Sequence, residues 1–135
     1  MRSITTGDVY MVDFATIGQS ERGYRPAIIV SNNKGNRFSK DIIVVPLTTA
    51  QKSTYQPTHV SLRAADNGLP KDSTAVCEAP QTIPKRALRQ YCTTLCEESM
   101  REVAFGLIAA TSTLAFLDGE MMMRARTLSI RLRSA

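Results

Sequence analysis

Two short apolar runs constrain this chain more than any other feature. One is "RPAIIV", Arg25 to Val30, and the other is "DIIVVPLTT", Asp41 to Thr49. Both are rich in β-branched residues, too short for a stable helix, and apolar at consecutive rather than alternate positions. That pattern predicts central strands covered on both faces. Proline is tolerated where a strand opens, which suits Pro26. The ends are harder to explain. A guanidinium stands at the mouth of the first run, and two hydroxyls close the second. Neither helps to bury a strand, so both ends read as positions held by the fold for something outside it.

The rest of the chain is organised around these runs. Val9 to Phe14, "THVSL" from Thr58, "STAVCEA" from Ser73 and "YCTTL" from Tyr91 read as further strands. "THVSL" alternates, so one of its faces is wet. Ala15 to Tyr24, "NNKGNRFSKD" and "NGLPKDS" carry loop and turn chemistry. "PKRALRQ" predicts a helical turn opened by Pro84. From Glu97 the period changes: Met100, Val103, Ala104, Leu107, Ile108, Thr111, Leu114 and Ala115 recur at three and four, an amphipathic helix ending near Asp118-Gly119. Short strands followed by one packed helix predict an α+β chain, a small antiparallel β-barrel with a C-terminal α-helix over residues 1–118. Residues 119–135 form a basic C-terminal extension, either a continued helix or a loose tail.

A chain of 135 residues suits one domain. No apolar run is long enough to span a membrane, and the N-terminus lacks the apolar core of a signal peptide, so a soluble cytoplasmic protein is expected. Cys77, Cys92 and Cys96 are odd in number and read as reduced thiols. The net charge of +5 favours an anionic partner, nucleic acid first, although Arg124, Arg126, Arg131 and Arg133 supply part of the excess from the tail. Phosphate-binding glycine loops, nucleophile elbows and zinc-helix motifs are absent from the sequence. With His59 as the one histidine, a two-histidine acid/base pair within a chain is impossible, and no metal or cofactor is expected. Transesterification of RNA can be run with what remains. The substrate's 2'-hydroxyl is the nucleophile, so the protein need only move protons and stabilise phosphate charge. Arginine matches phosphate oxygens bidentately, a threonine hydroxyl can donate to them, and a carboxylate whose pKa is raised by burial can act as base.

The blocks "GDVYMVDF", "ERGYRPAIIVSNNKGNRFS", "IIVVPLTT", "PTHVSL", "DSTAVCE" and "TIPKRAL" follow one another in order. Together they resemble the MazF/PemK family of toxin ribonucleases over roughly residues 7 to 117. The resemblance implies an SH3-like barrel of the CcdB/PemK type, a homodimer, and metal-independent cleavage of single-stranded RNA leaving 2',3'-cyclic phosphate and 5'-hydroxyl ends. It also implies a small antitoxin as partner. Carried onto this sequence, the family's catalytic arginine and threonine fall on Arg25 and Thr48, and a candidate base falls on Glu78. Each has a plainer reading: a strand-entry residue packing its stem, a turn cap, and an ion-pair partner. Gln19, Ser20 and Glu21 lie in the loop that borders the family's RNA groove. Asn36, Arg37 and Phe38 lie in the next one, where Phe38 either stacks on a base or plugs the core. His59 either takes a catalytic or RNA-binding role or is a satisfied strand histidine.

After Glu78 the chain reads "EAPQT", where many family members read E/D-Q-x-R-T. Ala79 cannot hydrogen-bond a base edge and Gln81 cannot neutralise a phosphate, so an altered RNA target is expected. Two other functions fit a barrel of this kind. One is a CcdB-like gyrase-binding toxin, whose function resides in its last helical residues. The other is a non-catalytic SH3-like RNA-binding module.

Overall fold

The computed structural model describes residues 2–50 and 56–134. Seven strands are present: β1 (Asp8–Asp13), β2 (Tyr24–Ile29), β3 (Asp41–Thr48), β4 (His59–Leu62), β5 (Ser73–Val76), β6 (Gln81–Pro84) and β7 (Leu88–Thr94). All pairings are antiparallel, in the order β4-β5-β3-β2-β1-β7 with β6 also on β3. β3 is the spine. One of its edges pairs with β2, and the other carries β5 opposite Leu47 and Thr48 and β6 opposite Asp41 to Val44. The residues between β5 and β6, Cys77 to Pro80, form a turn, in which the Ala79 N–H donates to the Val76 carbonyl at 3.1 Å. β4 and β7 end the strand order, β6 pairs with β3 alone, and no ladder joins β4 to β7 among the described residues. The expected α+β architecture is therefore a bent antiparallel sheet with helices, open along one seam rather than sealed.

Strand alternation feeds two cores. Val9, Ile28, Val45, Leu47, Val60 and Leu62 point to one side, where Val103 joins them from a helix. Val12, Phe14, Ala27, Ile29, Val44 and Ile83 point to the other. β2 and β3 contribute to both, so the two consecutive apolar runs are the strands covered on each face. Full burial of each such side chain is worth about 1.5–3 kcal/mol, which makes these two strands the rigid part of the molecule.

Four helices accompany the sheet: α1 (Asn33–Phe38), α2 (Ala64–Asn67), α3 (Glu97–Ala109) and α4 (Gly119–Arg133). The turn expected at "NNKGNRFSKD" is in part α1, because the Asn32 side chain caps it by accepting from the Gly35 N–H at 2.8 Å. The single helix expected from Glu97 to Asp118 is corrected to α3, a 3-10 turn over Thr113–Phe116, and α4. The break falls in a run of small and hydroxylated residues, where Thr111 and Thr113 bond each other's hydroxyls at 2.8 Å. Asp118 does not stop a helix but starts one: its carboxylate accepts from the Met121 N–H at 2.8 Å. The tail is thus helical, not loose. α3 buries Ser99, Val103 and Gly106. Gly106 allows the close seating, since a Cβ there would stand 2.9 Å from the Cys77 sulfur and 3.1 Å from a Val60 methyl. No helix among the described residues is long and apolar enough to cross a membrane.

Candidate active site

Arg25 and Thr48 lie on neighbouring strands. The β2–β3 ladder pairs Ile29 with Val44, Ile28 with Val45 and Ala27 with Pro46. Continuing that register by two residues aligns Arg25 with Thr48, both still within their strands. Directly opposed residues project to the same face with Cβ atoms about 5 Å apart. The alignment continues outward: Thr48 opposes Thr74 on β5, and Thr74 opposes Ser61 on β4. One row of polar side chains, Arg25, Thr48, Thr74 and Ser61, therefore crosses four strands. His59 lies on the same face of β4 as Ser61, two residues away, while Val60 and Leu62 turn into the core.

The chemistry of the row is set by what each group already holds. Arg25 is half-buried and forms no ion pair with any described residue. Its guanidinium is positioned by the strand rather than neutralised by a carboxylate. Thr48 Oγ1 accepts the Ala50 N–H at 3.1 Å, so the turn-capping role is real. Capping does not exclude chemistry, because a hydroxyl that accepts still has a proton to donate, and the cap fixes its direction.

Glu78 lies in the turn after β5 and bonds His59, Oε2 to Nε2 at 2.7 Å. The His59 side chain is 10% exposed and that of Glu78 42%. The expectation that burial raises the carboxyl pKa is corrected. Desolvation does push it up, but it is outweighed by a backbone hydrogen bond and by the hydrogen bond and charge of His59, and the net shift is downward. An exposed, well-solvated carboxylate bound to imidazole stays ionised and is a weak base. Beside this pair a cleft of about 360 Å³ opens between β4 and α3, with Ser61, Arg101 and Phe105 on its walls.

The other expected contacts divide. Gln19, Ser20 and Glu21 sit in the β1–β2 connection, next in sequence to β2 and hence at the Arg25 end of the sheet. Ser20 and Glu21 are exposed, and the enclosed Gln19 Oε1 has no hydrogen-bond partner among the described residues. Gln81 is half-buried on β6 opposite Val44, below the row. Asn36, Arg37 and Phe38 belong to α1, which joins the far ends of β2 and β3. Asn36 is corrected: it is 2% exposed and its amide bonds the Ser31 carbonyl at 2.9 Å and Asn33 Oδ1 at 3.1 Å. An amide so enclosed cannot reach a base. Phe38 is 75% exposed and is no core plug, and the exposed Arg37 guanidinium lies 6.0 Å from its ring centre. Thr74 and Ser61 were missed as row members. The alternation of "THVSL" does place Ser61 beside His59 on the wet face, but nothing in sequence gives the β3–β5 register that joins them to Thr48.

Comparison with known proteins identifies the family and the fold. The model of a family described as PemK-like, MazF-like toxin of type II toxin-antitoxin system matches residues 5–110. The endoribonuclease MazF of Staphylococcus epidermidis is 37% identical over 101 residues, covering 74% of this chain and 84% of that protein. A mycobacterial endoribonuclease solved in complex with its cognate antitoxin is 28% identical with a TM-score of 0.68, over 85% of this chain and 98% of that one. MazF from Deinococcus radiodurans, 18% identical, shares the fold with a TM-score of 0.67 over 87% of this chain and 100% of its own. With the family pattern spanning most of its length and the sheet superposing on solved members, the chain belongs to the PemK-like, MazF-like toxins of type II toxin–antitoxin systems.

Proposed function

We propose that this toxin is a cytoplasmic, metal-independent endoribonuclease that cuts single-stranded RNA, acts as a homodimer and is held in check by a cognate antitoxin. The observation that carries the reading is the β2–β3 register, which aligns Arg25 with Thr48 on one face. The naming of its relatives as endoribonucleases supports it. Arg25 takes the scissile phosphate with its fork and stabilises the charge that grows on the equatorial oxygens. Thr48, its oxygen held by the Ala50 amide, donates to the same phosphate. His59 is the proton-transfer group and Glu78, 2.7 Å from its Nε2, positions it, since an imidazole nitrogen can accept a proton and later return it. The 2'-oxygen loses its proton and attacks phosphorus; the 5'-oxygen leaves and gains one. The products are a 2',3'-cyclic phosphate and a 5'-hydroxyl. Ser20, Glu21, Arg37, Phe38 and Gln81 line the path of the flanking nucleotides. Ala79 and Gln81, where many family members carry glutamine and arginine, give this chain a target motif of its own.

The test is cleavage of a long single-stranded RNA in EDTA by the wild type and by Arg25→Ala, with new ends mapped. Discrete cuts with cyclic-phosphate ends, lost in the variant, are expected. A folded, antitoxin-free wild type that leaves the RNA intact overturns the reading and directs attention to gyrase binding.

A further inference from the structure

We propose that α4 is a docking arm for an acidic amphipathic segment of the antitoxin, a surface added to the toxin domain rather than part of it. The inference rests on membership of a toxin–antitoxin family and is independent of the ribonuclease chemistry.

α4 starts beyond residue 110, where the family match ends, and none of its residues is buried. It is nevertheless well built. Asp118 caps its first turn. At its last turn the Asn33 amide donates to the Arg133 carbonyl at 2.6 Å, and the Arg133 guanidinium pairs with Glu97 on α3. A helix fixed at both ends presents a stripe of Met121, Ala125, Leu128 and Leu132, spaced four, three and four, the seam of a helix that packs on another surface. Met121 is 46% and Leu128 52% exposed. An open cleft of about 620 Å³ runs along this side, with Leu117 at one end and Arg124 and Arg131 on its margin.

Charge selects the occupant. Arg124, Arg126 and Arg131 oppose a single acid on the helix, Glu120, while Arg133 is paired with Glu97 on α3. If two copies paired stripe to stripe, antiparallel packing would set Arg124 against Arg131, and parallel packing would set them against Met122 and Ser129. The first juxtaposes like charges and the second leaves the arginines without a carboxylate, so a second copy does not match this margin. RNA satisfies the arginines but leaves the apolar stripe wet, and α4 carries no aromatic ring on which a base could stack. A peptide with its own apolar face and carboxylates along the edges satisfies both. Arginine and methionine are also the residues enriched in protein interfaces, methionine because it adapts to the surface it meets.

The measurement is calorimetric titration of the full chain with its full-length cognate antitoxin, for the wild type, Arg124→Glu/Arg131→Glu and Leu128→Ala. The charge-reversed variant is expected to bind at least tenfold more weakly and Leu128→Ala severalfold more weakly. Circular dichroism, sedimentation and RNA cleavage by the free toxin should all stay as in the wild type. Hydrogen exchange should show α4 amides slowing when antitoxin binds. Wild-type affinity in both variants, or no slowing in α4, overturns the proposal. A changed oligomeric state of the free toxin assigns the surface to a second copy, and weakened RNA binding with a shallower salt dependence assigns it to RNA; either also overturns it. A wild type that binds antitoxin but cuts no RNA leaves this inference standing and removes only the ribonuclease reading.

Discussion

The two ends of the β2–β3 pair use polar side chains in opposite ways. At one end Asn36, Ser31, Thr6 and Asn33 bond one another, and the Thr6 N–H donates to Asn33 Oδ1 at 2.8 Å. These groups satisfy themselves and face inward. At the other end Arg25 and Thr48 stand opposite each other, half-buried, and Arg25 forms no ion pair with any described residue. The same rigid strands join both. A polar group that closes a network contributes stability; one left facing out from an apolar scaffold is preorganised for a ligand.

Exchanging the two kinds of group should produce opposite losses. Arg25→Ala is expected to lower the RNA cleavage rate by about a hundredfold or more, the scale for removing one donor to developing charge, while its melting temperature barely moves. Cleavage assay and thermal melt on one preparation check both halves. Asn36→Ala should do the reverse. It strands several buried partners and should cost about 1–3 kcal/mol in denaturant unfolding, with cleavage by the folded fraction intact. If Asn36→Ala instead removes cleavage at unchanged stability, the inward network belongs to the site and the contrast fails.

The Glu78–His59 pair gives a smaller effect with a definite sign. Because the carboxyl pKa is held below its ordinary value, the pair's contribution to stability is present above the unfolded-state pKa near 4.5 and is lost as pH falls through the lower folded value. The melting-temperature difference between the wild type and Glu78→Gln should therefore be visible at neutral pH and vanish in strong acid. It should also be modest, since the Glu78 side chain is 42% exposed.

The thiols repeat the contrast in the slightest form. Burial pushes the Cys77 pKa up to about 11, whereas the Ser99 hydroxyl and backbone beside Cys96, at the start of α3, lower that of Cys96. Iodoacetamide at mildly alkaline pH should label Cys96 first and Cys77 only after unfolding, as mass spectrometry of timed aliquots will show. Early labelling of Cys77 would mean that α3 lifts off its Gly106 seat.

Legibility in the sequence followed the range of the interactions. The buried strands were readable because consecutive Ile and Val residues leave few alternatives, and Arg25 and Thr48 could be singled out because their types are wrong for those strands. Asn36 was misjudged because a turn-like composition says nothing of Thr6 and Ser31, which enclose it from other parts of the chain. Asp118-Gly119 was misread since aspartate favours a helix start as readily as glycine favours a helix end, and local sequence does not decide between them. The lowered Glu78 pKa depends on His59, which the β4–β5 register brings alongside.

Asn33 binds at once to Thr6, near the chain's beginning, and to the Arg133 carbonyl, a hundred residues further on. During synthesis the first contact can form as soon as the early strands emerge from the ribosome, whereas the second must wait until the entire sheet and α3 have been made. The arm is therefore fastened after the sheet. A nascent chain passes through a stage at which β2 and β3 have been made while α4 is still being translated. If α4 is where the antitoxin first takes hold, inhibition trails the birth of the active surface by the time needed to make that helix, and antitoxin already waiting at the ribosome is what closes the gap.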